Sequence, residues 1–345
     1  MAEIAVLGGG SWGTALADHL ARRGHRVHLL FRDADLAAEV RRTRVNDAYL
    51  PGTCLPVGVV VTADPREALA HMDLALVATP VRGLEQAARW LQQAPALSVP
   101  LVSCAKGIHA QTLETPSMAL ARLLPGAEGN LAILSGPSFA VELVRGDPTA
   151  AVVASRAPGV AQQAQDILSG GTFRLYTNQD PTGVELAGAL KNVMALAAGV
   201  VTGLGLGANT MAALITRGLA EMSRLGLRMG GQPSTFGGLA GLGDLVLTCT
   251  SSLSRNHRVG CELGRGRSLQ EILKGMRMVA EGVPTTRAAL QLAGREGVEM
   301  PIVEQMHDIL FAGQAPRRAL DELLAREPRR ESDPAGAQAK DVAGV

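Results

Sequence analysis

Residues 5–17 read AVLGGGSWGTALA, and this stretch decides the fold of the first half of the chain. It places Gly8, Gly10 and Gly13 in G-x-G-x-x-G spacing, between an apolar run that predicts a strand and a segment with helical spacing. In such a loop the first glycine permits a tight turn, the second lets the backbone approach a pyrophosphate, and the third lets the helix pack closely on the strand. An ordinary glycine-rich turn is the plain alternative. The flanking strand and helix make the stretch typical of a dinucleotide-binding loop.

Around this loop, short β-branched runs alternate with helical patterns. The runs that predict strands are EIAVLGG, HRVHLLFR, GVVVT, DLALVATP, PLVSCAKG, LAILSG and TAAVVAS. Alternation of strands and helices is typical of a mainly parallel sheet with right-handed crossovers. We therefore predict an α/β Rossmann-type domain over residues 1–180.

The pattern changes at Pro181, after which the periodic segments all have helical spacing. An all-α domain is predicted for residues 181–326, and the polar, Pro/Gly/Ala-rich segment 327–345 is predicted to be a disordered tail.

The net charge of +1 does not favour nucleic acid or an anionic membrane surface as a partner. The four cysteines are scattered without metal-type spacing, so we expect no metal site, reduced thiols and a cytoplasmic protein.

Lys191 stands alone within an apolar helical segment and is followed by 25 uncharged positions. Because several glycines follow, we expect this helix to end near Gly203, short of the ~20 residues that a membrane span needs, and to be a core helix. A lysine there either has a lowered pKa that serves a reaction, or extends its ammonium to water at a domain edge. Asp244 lies between a glycine-rich run and an apolar run and is the candidate partner of Lys191, although Asp after glycine also caps helices.

The end of the second predicted strand bears on the choice of cofactor. NAD sites commonly carry an acid about 20 residues after the glycine loop. Here Arg32 occupies that place and Asp33 follows it. Arg32 could bind a 2′-phosphate, which favours NADP, whereas Asp33 could accept from a free ribose hydroxyl, which favours NAD; a surface arginine without a ligand is the plain alternative. The cofactor is therefore predicted to be NADP or NAD, with NADP favoured.

Several other residues have the chemistry of a phosphate site. Ser254, Arg255 and Asn256 are consecutive, and these residue types donate hydrogen bonds to phosphate, arginine bidentately. Lys106 follows a predicted strand, at the end where open α/β sheets bind ligands. Each of these residues could also be a solvated loop residue. Further candidates at the ends of predicted elements are Gly136, Ser138 and Glu281.

With these residues in place, the chain resembles the bacterial-type glycerol-3-phosphate dehydrogenase family, whose members are NAD(P)-dependent. The resemblance covers roughly residues 2–325 and rests on separate motifs that follow one another along the chain. The motifs are GGGSWGTALA, NDAYLPG, SCAKGI, SGPSFAVE, GDPTA, ELAGALKNVMALAAG, GLAGLGDL, SRN and VAEG.

The resemblance implies the reversible NAD(P)H-dependent reduction of dihydroxyacetone phosphate to sn-glycerol 3-phosphate, which feeds glycerophospholipid synthesis. It implies that Lys191 is the general acid/base and that Asp244 holds it, while Lys106 and Asn192 orient the substrate oxygen. The implied catalytic and substrate-binding residues are Lys106, Gly136, Ser138, Lys191, Asn192, Asp244, Ser254, Arg255 and Asn256. With the glycine loop and Asp33, the cofactor-binding set is Gly8, Gly10, Ser11, Trp12, Gly13, Arg32, Asp33, Lys106, Ala140, Arg255, Val279 and Glu281.

Two other interpretations stay open from the sequence. A β-hydroxyacid or 6-phosphogluconate-type dehydrogenase also pairs a dinucleotide domain with a catalytic lysine on an all-helical domain. A non-catalytic sensor of the NADP(H) ratio would keep the glycine loop but tolerate the loss of Lys191. We expect a small phosphorylated substrate and a homodimer, with no nucleic acid partner and no stable membrane insertion.

Overall fold

The structure is a computed structural model that describes residues 1–95, 97–276 and 279–327. The tail predicted at residues 327–345 lies, apart from Glu327, outside the described residues. The strands are β1 Glu3–Leu7, β2 Arg26–Leu30, β3 Val45–Asn46, β4 Leu50–Cys54, β5 Val59–Thr62, β6 Leu74–Val77, β7 Leu101–Ser103, β8 Leu131–Ser135, β9 Thr149–Ala154 and β10 Phe173–Asn178.

One sheet holds eight of these strands in the order β10-β9-β8-β7-β6-β1-β2-β5. Its neighbouring strands are parallel except for β8 and β9, which are antiparallel. Alternate residues of β1 belong to different apolar clusters, Ile4 and Val6 to one and Ala5 and Leu7 to the other, because successive side chains point to opposite faces. Both faces are therefore covered, and the prediction of a mainly parallel Rossmann-type sheet is confirmed.

The strand β10 and the antiparallel pair β3–β4 are not among the predicted strands. β10 lies at the sheet edge, where buried Phe173 and Leu175 alternate with exposed residues, so it lacks a continuous apolar run. The strand β4 contains Pro51 and Gly52, which are typical turn residues.

Helices cover the sheet and make up all the regular structure described after Asn178, which confirms the prediction of a helical C-terminal region. They are α1 Ser11–Arg22, α2 Ala34–Thr43, α3 Pro65–Leu69, α4 Leu84–Leu91, α5 Pro116–Leu123, α6 Ala140–Arg145, α7 Pro158–Leu168, α8 Pro181–Gly203, α9 Ala208–Arg228, α10 Pro233–Phe236, α11 Asp244–Thr250, α12 Arg255–Gly264, α13 Leu269–Lys274, α14 Gly282–Glu296, α15 Pro301–Phe311 and α16 Pro316–Leu324. A π-helical turn, Leu239–Gly243, leads directly into α11.

The helix α8 is the centre of the helical region. Asp180 caps its start by accepting from the Gly183 N–H at 2.8 Å, and every residue from 183 to 201 is buried. The helix ends at Gly203 as predicted, but the expectation that it is too short to span a membrane is wrong. By length and composition alone, its 23 residues are long and apolar enough to cross a membrane. The apolar part of this helix is completely buried inside the protein, which is the environment of a core helix.

Glycines allow α12 to pack against α8 with their backbones in contact. A methyl group placed on Gly199 or Gly203 would overlap α12 backbone, and one placed on Gly260 would overlap the Leu196 carbonyl oxygen of α8. This glycine seam fixes the start of α12, with its residues Arg255 and Asn256, close to the helix that carries Lys191. The sequence shows the glycines, but not that they face each other.

We expect Gly260→Ala to destabilise the protein, because the added methyl has no space against Leu196. Overpacking of this kind costs about 1–3 kcal/mol and occasionally more. Gly294→Ala in α14 is the matched control, since a methyl there would meet no atom within 4 Å and alanine gains up to about 1 kcal/mol over glycine in a helix. Urea unfolding of both variants measures the difference. Equal stability of the two variants would contradict a tight seam.

Candidate active site

The candidate site lies at the carboxyl edge of the parallel sheet. Gly8 follows β1, Thr79 follows β6, Lys106 follows β7 and Gly136 follows β8. The chain runs from β1 to β2 on one side and returns to β6 on the other, so the strand order reverses at β1. Open α/β sheets bind ligands in the crevice at such a point. Residues of α8, α11, α12 and α14 reach this edge from the helical region.

A buried carboxylate joins the two predicted lysines. Asp244, 1% exposed, accepts from Lys191 Nζ at Oδ1 over 2.6 Å and from Lys106 Nζ at Oδ2 over 2.7 Å. Lys191, 6% exposed, also donates to Thr248 Oγ1 at 2.8 Å, and Lys106 donates to the Gly136 carbonyl at 2.9 Å. The Asp244 side chain therefore does not cap α11. Lys191 does not extend its ammonium to water.

Burial and the neighbouring charges shift the pKa values of Lys191 and Asp244 in this cluster. Burial lowers the pKa of Lys191 to about 8, although Asp244 opposes that shift, and the second ammonium, Lys106, lowers it further. Burial alone would raise the pKa of Asp244, but the two lysines outweigh burial and the pKa falls. Two ammonium groups share one carboxylate, so the buried cluster carries an excess positive charge. Loss of one proton from Lys191 removes that excess.

The side chain of Asn192 lies beside the lysines and is bonded to protein atoms. Its Nδ2 donates to the carbonyls of Lys106 and Gly188, both at 3.3 Å, and its Oδ1 accepts from Asn256 Nδ2 at 2.9 Å. Asn256 in turn accepts from the Gly282 N–H at 3.0 Å. Asn192 and Asn256 thus link α8, α12 and α14 to the loop after β7. The sequence predicted both residues but not this connection.

Ser254 and Arg255 lie at the start of α12. Ser254 is its N-cap residue and accepts from the His257 N–H at 3.2 Å, so part of its hydrogen-bonding capacity stabilises the helix. Arg255 is exposed and follows directly, so its guanidinium can reach a ligand. His257 is buried and contacts Thr202 and Cys261.

The other predicted substrate residues lie after β8. Gly136 has a φ of +134°, and its carbonyl accepts from both Lys106 and Ser138 Oγ, the latter at 3.0 Å. Gly188 of α8 faces this turn, since a methyl on it would come within 2.8 Å of Ser135 Oγ. The turn therefore lies directly against the helix that carries Lys191.

The glycine loop has the geometry that a dinucleotide needs. Gly8 has a φ of +120°, which a side chain would strain, and a methyl on Gly13 would overlap the Gly8 carbonyl oxygen. A methyl on Gly10 would meet no atom within 4 Å, so the backbone is open to a ligand there. These three positions match the three roles predicted from their spacing.

The residues predicted to bind the rest of the cofactor are spread along the same edge. Arg32 is exposed and, within the described residues, makes no ion pair or hydrogen bond. Asp33 caps α2, accepting at Oδ1 from the N–H groups of Asp35 and Leu36, both at 3.0 Å. Trp12 packs edge-on against Phe173 with ring centroids 6.2 Å apart. Ser11 and Ala140 are the first residues of α1 and α6, and Val279 and Glu281 precede α14.

Several buried polar atoms near this edge have no hydrogen-bond partner in the described part of the chain. In the described part of the chain, Thr79 Oγ1, Ser135 Oγ, Glu281 Oε1 and Thr285 Oγ1 are buried and make no hydrogen bond. Burial raises the pKa of Glu281, although the Val81 N–H and the nearby Arg255 oppose the shift. Buried polar groups are normally paired, so such a group beside a glycine loop fits a polar ligand such as a nicotinamide dinucleotide.

Thr248 is a site residue that the sequence did not indicate. Its Oγ1 accepts from Lys191 and donates to the Asp244 carbonyl at 2.6 Å, one helical turn back. A threonine four residues after an aspartate in a helix is common. Its i, i+4 spacing from Asp244 was the signal in the sequence, but that spacing alone does not show that Thr248 contacts Lys191.

An open sheet with a dinucleotide loop at its switch point, joined to helices that carry a buried lysine–carboxylate pair, defines an NAD(P)-dependent dehydrogenase. Residues 3–161 match the N-terminal family, and residues 180–321 the C-terminal family, of NAD-dependent glycerol-3-phosphate dehydrogenase. The chain therefore belongs to the NAD-dependent glycerol-3-phosphate dehydrogenase family, as its motifs indicated, and is an oxidoreductase that uses NAD or NADP.

Individual relatives agree with this assignment. A glycerol-3-phosphate dehydrogenase (NAD(P)+) of Geobacter sulfurreducens is 50% identical over 335 residues, which cover 95% of this chain and 98% of that protein. The crystal structure of glycerol-3-phosphate dehydrogenase from Coxiella burnetii has a TM-score of 0.88 at 39% identity, covering 94% of this chain and 98% of that one. The family match decides against the hydroxyacid dehydrogenase and the sensor.

We expect Asp244→Asn to destabilise the protein, because it leaves the buried Lys191 ammonium and the partly buried Lys106 ammonium without a counter-charge. Breaking a buried ion pair by removing one partner costs about 3–5 kcal/mol. The loss in free energy of unfolding should be smaller at pH 10 than at pH 7, since at pH 10 Lys191 can give up its proton. Urea unfolding at both pH values tests this, with the exposed Asp321→Asn as a control for the same charge change. A loss equal to that of the control would contradict the shared carboxylate.

Proposed function

We propose that the chain catalyses the reversible NAD(P)H-dependent reduction of dihydroxyacetone phosphate to sn-glycerol 3-phosphate, which supplies glycerophospholipid synthesis. The observation that carries the proposal is the buried Lys106–Asp244–Lys191 cluster beside an exposed arginine and a dinucleotide loop. A ketone reduction needs a proton donor at the carbonyl oxygen. A phosphorylated substrate needs a cation.

Lys191 is the proposed acid/base. An ammonium has three N–H bonds, and Lys191 donates two of them to Asp244 and Thr248, which leaves one for the substrate. When bound, NADPH or NADH would supply the hydride that C2 of the ketone receives. Lys191 then donates its remaining proton to the oxygen of the developing alkoxide, and in the reverse direction the neutral amine accepts that proton. Reduction of the ketone thus removes one positive charge from the Lys106–Asp244–Lys191 cluster.

Lys106 and Asn192 position the substrate in this proposal. Lys106 also has one N–H left after bonding Asp244 and Gly136, so it can donate to the same substrate oxygen. The amide of Asn192 is bonded to protein atoms, so we assign it a positioning role through Lys106 and Asn256.

The phosphate is proposed to bind at the start of α12. Arg255 can form two parallel hydrogen bonds with it, and Ser254 and Asn256 flank that arginine. The N–H groups at the start of this ten-residue helix add a favourable dipole.

The cofactor is proposed to bind along residues 8–13, with Glu281 at its nicotinamide end. We favour NADP, since Arg32 is exposed at the expected site of a 2′-phosphate whereas Asp33 Oδ1 is used as a helix cap. Arg255 lies near Glu281 and can contact both ligands.

We also propose the organisation of the protein in the cell. Residues 1–180 are assigned as the dinucleotide domain and 181–326 as the substrate domain. A homodimer is supported by Leu242 and Val246, which are one helical turn apart and 38% and 40% exposed. The cytoplasm is supported by four cysteines that are all free thiols.

The test of the reaction is oxidation of NADPH and of NADH with dihydroxyacetone phosphate and with unphosphorylated dihydroxyacetone. We expect turnover only with the phosphorylated ketone, and faster with NADPH. Arg255→Lys should raise KM for dihydroxyacetone phosphate about 10-fold or more, because losing a charge-assisted hydrogen bond costs about 1.5–3 kcal/mol. Arg258→Lys, on the exposed side of the same helix, is the control. No turnover with either cofactor, from protein shown to bind one, would rule out this substrate.

The pKa of Lys191 sets an opposite pH dependence for the two directions. Reduction needs the ammonium, so kcat/KM should fall as pH rises through about 8, while oxidation needs the amine and should rise through about 8. Asp244→Asn should move both midpoints to lower pH, since Asp244 favours the ammonium. Initial rates in both directions between pH 7 and 10 measure this. The same trend in both directions would exclude Lys191 as acid/base.

A further inference from the structure

We propose that Asn46 is a positioning residue of the cofactor site, whose amide orients the Gly9–Gly10 peptide so that the Gly10 N–H faces the cofactor pyrophosphate. The inference rests on the proposed function, since it requires residues 8–13 to bind the cofactor. Asn46 lies within the NDAYLPG motif, to which neither the sequence pattern nor the proposed mechanism gives a role.

Asn46 bonds the glycine loop directly. It is the last residue of β3 and is fully buried. Its Nδ2 donates to the Gly9 carbonyl oxygen at 2.9 Å and to Thr14 Oγ1 at 2.8 Å. A carbonyl can only accept, so the nitrogen of the amide, and not its oxygen, must face Gly9. One side chain from the β3–β4 hairpin therefore holds both the loop and the first turn of α1.

The direction of one carbonyl determines the direction of the next N–H. A trans peptide is planar, and its C=O and N–H bonds point in opposite directions. With the Gly9 oxygen bonded to Asn46, the Gly10 N–H points away from the hairpin. The space beyond Gly10 is open, since a methyl group there would meet no atom within 4 Å.

Three consecutive glycines make such an anchor necessary. Gly8, Gly9 and Gly10 have no side chains to restrict the rotation of the peptide between them. A ligand would otherwise have to order this peptide when it binds, at a cost in affinity. A second bond from the hairpin holds the next residue, since Ser11 Oγ donates to the Tyr49 carbonyl at 2.6 Å.

The stability of the hairpin alone does not explain an asparagine at this position. Within the described residues, Asn46 Oδ1 is buried and has no hydrogen-bond partner. A buried polar atom left unpaired is destabilising, and an apolar residue of similar shape would avoid it. The two bonds that the amide donates, one to the glycine loop and one to the first turn of α1, are what asparagine adds.

The test uses two substitutions of different character. Asn46→Leu removes both donors and the unpaired oxygen without adding charge, whereas Asn46→Asp places a carboxylate oxygen against the Gly9 carbonyl. We expect Asn46→Leu to weaken NADPH binding about 10-fold, and Asn46→Asp to weaken it more, because an oriented N–H donor to an anion is lost. NADPH fluorescence titration measures Kd. At saturating NADPH, kcat and KM for dihydroxyacetone phosphate should stay within about twofold of wild type, because ~0.4 kcal/mol corresponds to that factor.

Asn130 offers a matched control in the same half of the chain. Its Nδ2 donates to a backbone carbonyl, that of Leu97, at 2.9 Å, but not to the glycine loop. Asn130→Leu and Asn130→Asp should change the melting temperature without changing the Kd for NADPH.

Each outcome decides the proposal. Unchanged NADPH affinity in folded Asn46→Leu would overturn it, and this variant is sufficient if Asn46→Asp fails to fold. The proposal would also be overturned if the Asn46 and Asn130 variants all bound NADPH more weakly and all had a KM for dihydroxyacetone phosphate raised by the same factor. That result would indicate a general destabilisation of the fold. If wild type binds neither NADPH nor NADH, the proposed function fails and this inference with it; normal wild-type binding with unaffected variants removes this inference alone.

Discussion

The carboxylate of Asp244 holds together three parts of the chain that are far apart in sequence. Its two oxygens bind Lys106, which follows a strand of the sheet, and Lys191, on the central helix of the helical region. A single negative charge shared by two ammonium groups, one buried and one partly buried, cannot neutralise both. Burial lowers the pKa of Lys191, the second ammonium lowers it further, and the remaining positive charge favours an anionic ligand nearby. Structure and chemistry thus depend on the same ion pairs.

Close backbone packing makes this cluster possible. Small residues at Gly188, Gly199 and Gly203 let α8 approach the turn after β8 on one side and α12 on the other. A larger side chain at any of these positions would push the partner away. Asn256 would then lose its hydrogen bond to Asn192, the residue after Lys191. The abundance of glycine in this chain therefore serves packing between elements as well as turns.

The predictable part of the fold followed from local periodicity. The spacing of Gly8, Gly10 and Gly13 and the apolar strands around them indicated the parallel sheet, because each signal lies within a few residues. Edge strand β10 and hairpin β3–β4 were missed, since a half-exposed strand and one with Pro51 and Gly52 lack such a signal. Asn46 was missed as a loop anchor for the same reason.

The sequence by itself determined the alternation of strands and helices in the first half, the helical region after it, and the candidates Lys106, Asp244 and Arg255, since periodicity and residue type can be read from local pattern. Only the tertiary structure decided that Lys191 is buried, that Asp244 bonds both lysines, that Thr248 accepts a hydrogen bond from Lys191, and that Asn192 bonds Asn256. It also decided that Asp33 caps a helix while Arg32 stays exposed. The reason is physical: a hydrogen bond depends on distances within about 3 Å between groups up to 138 residues apart, and one sequence contains no measure of such distances.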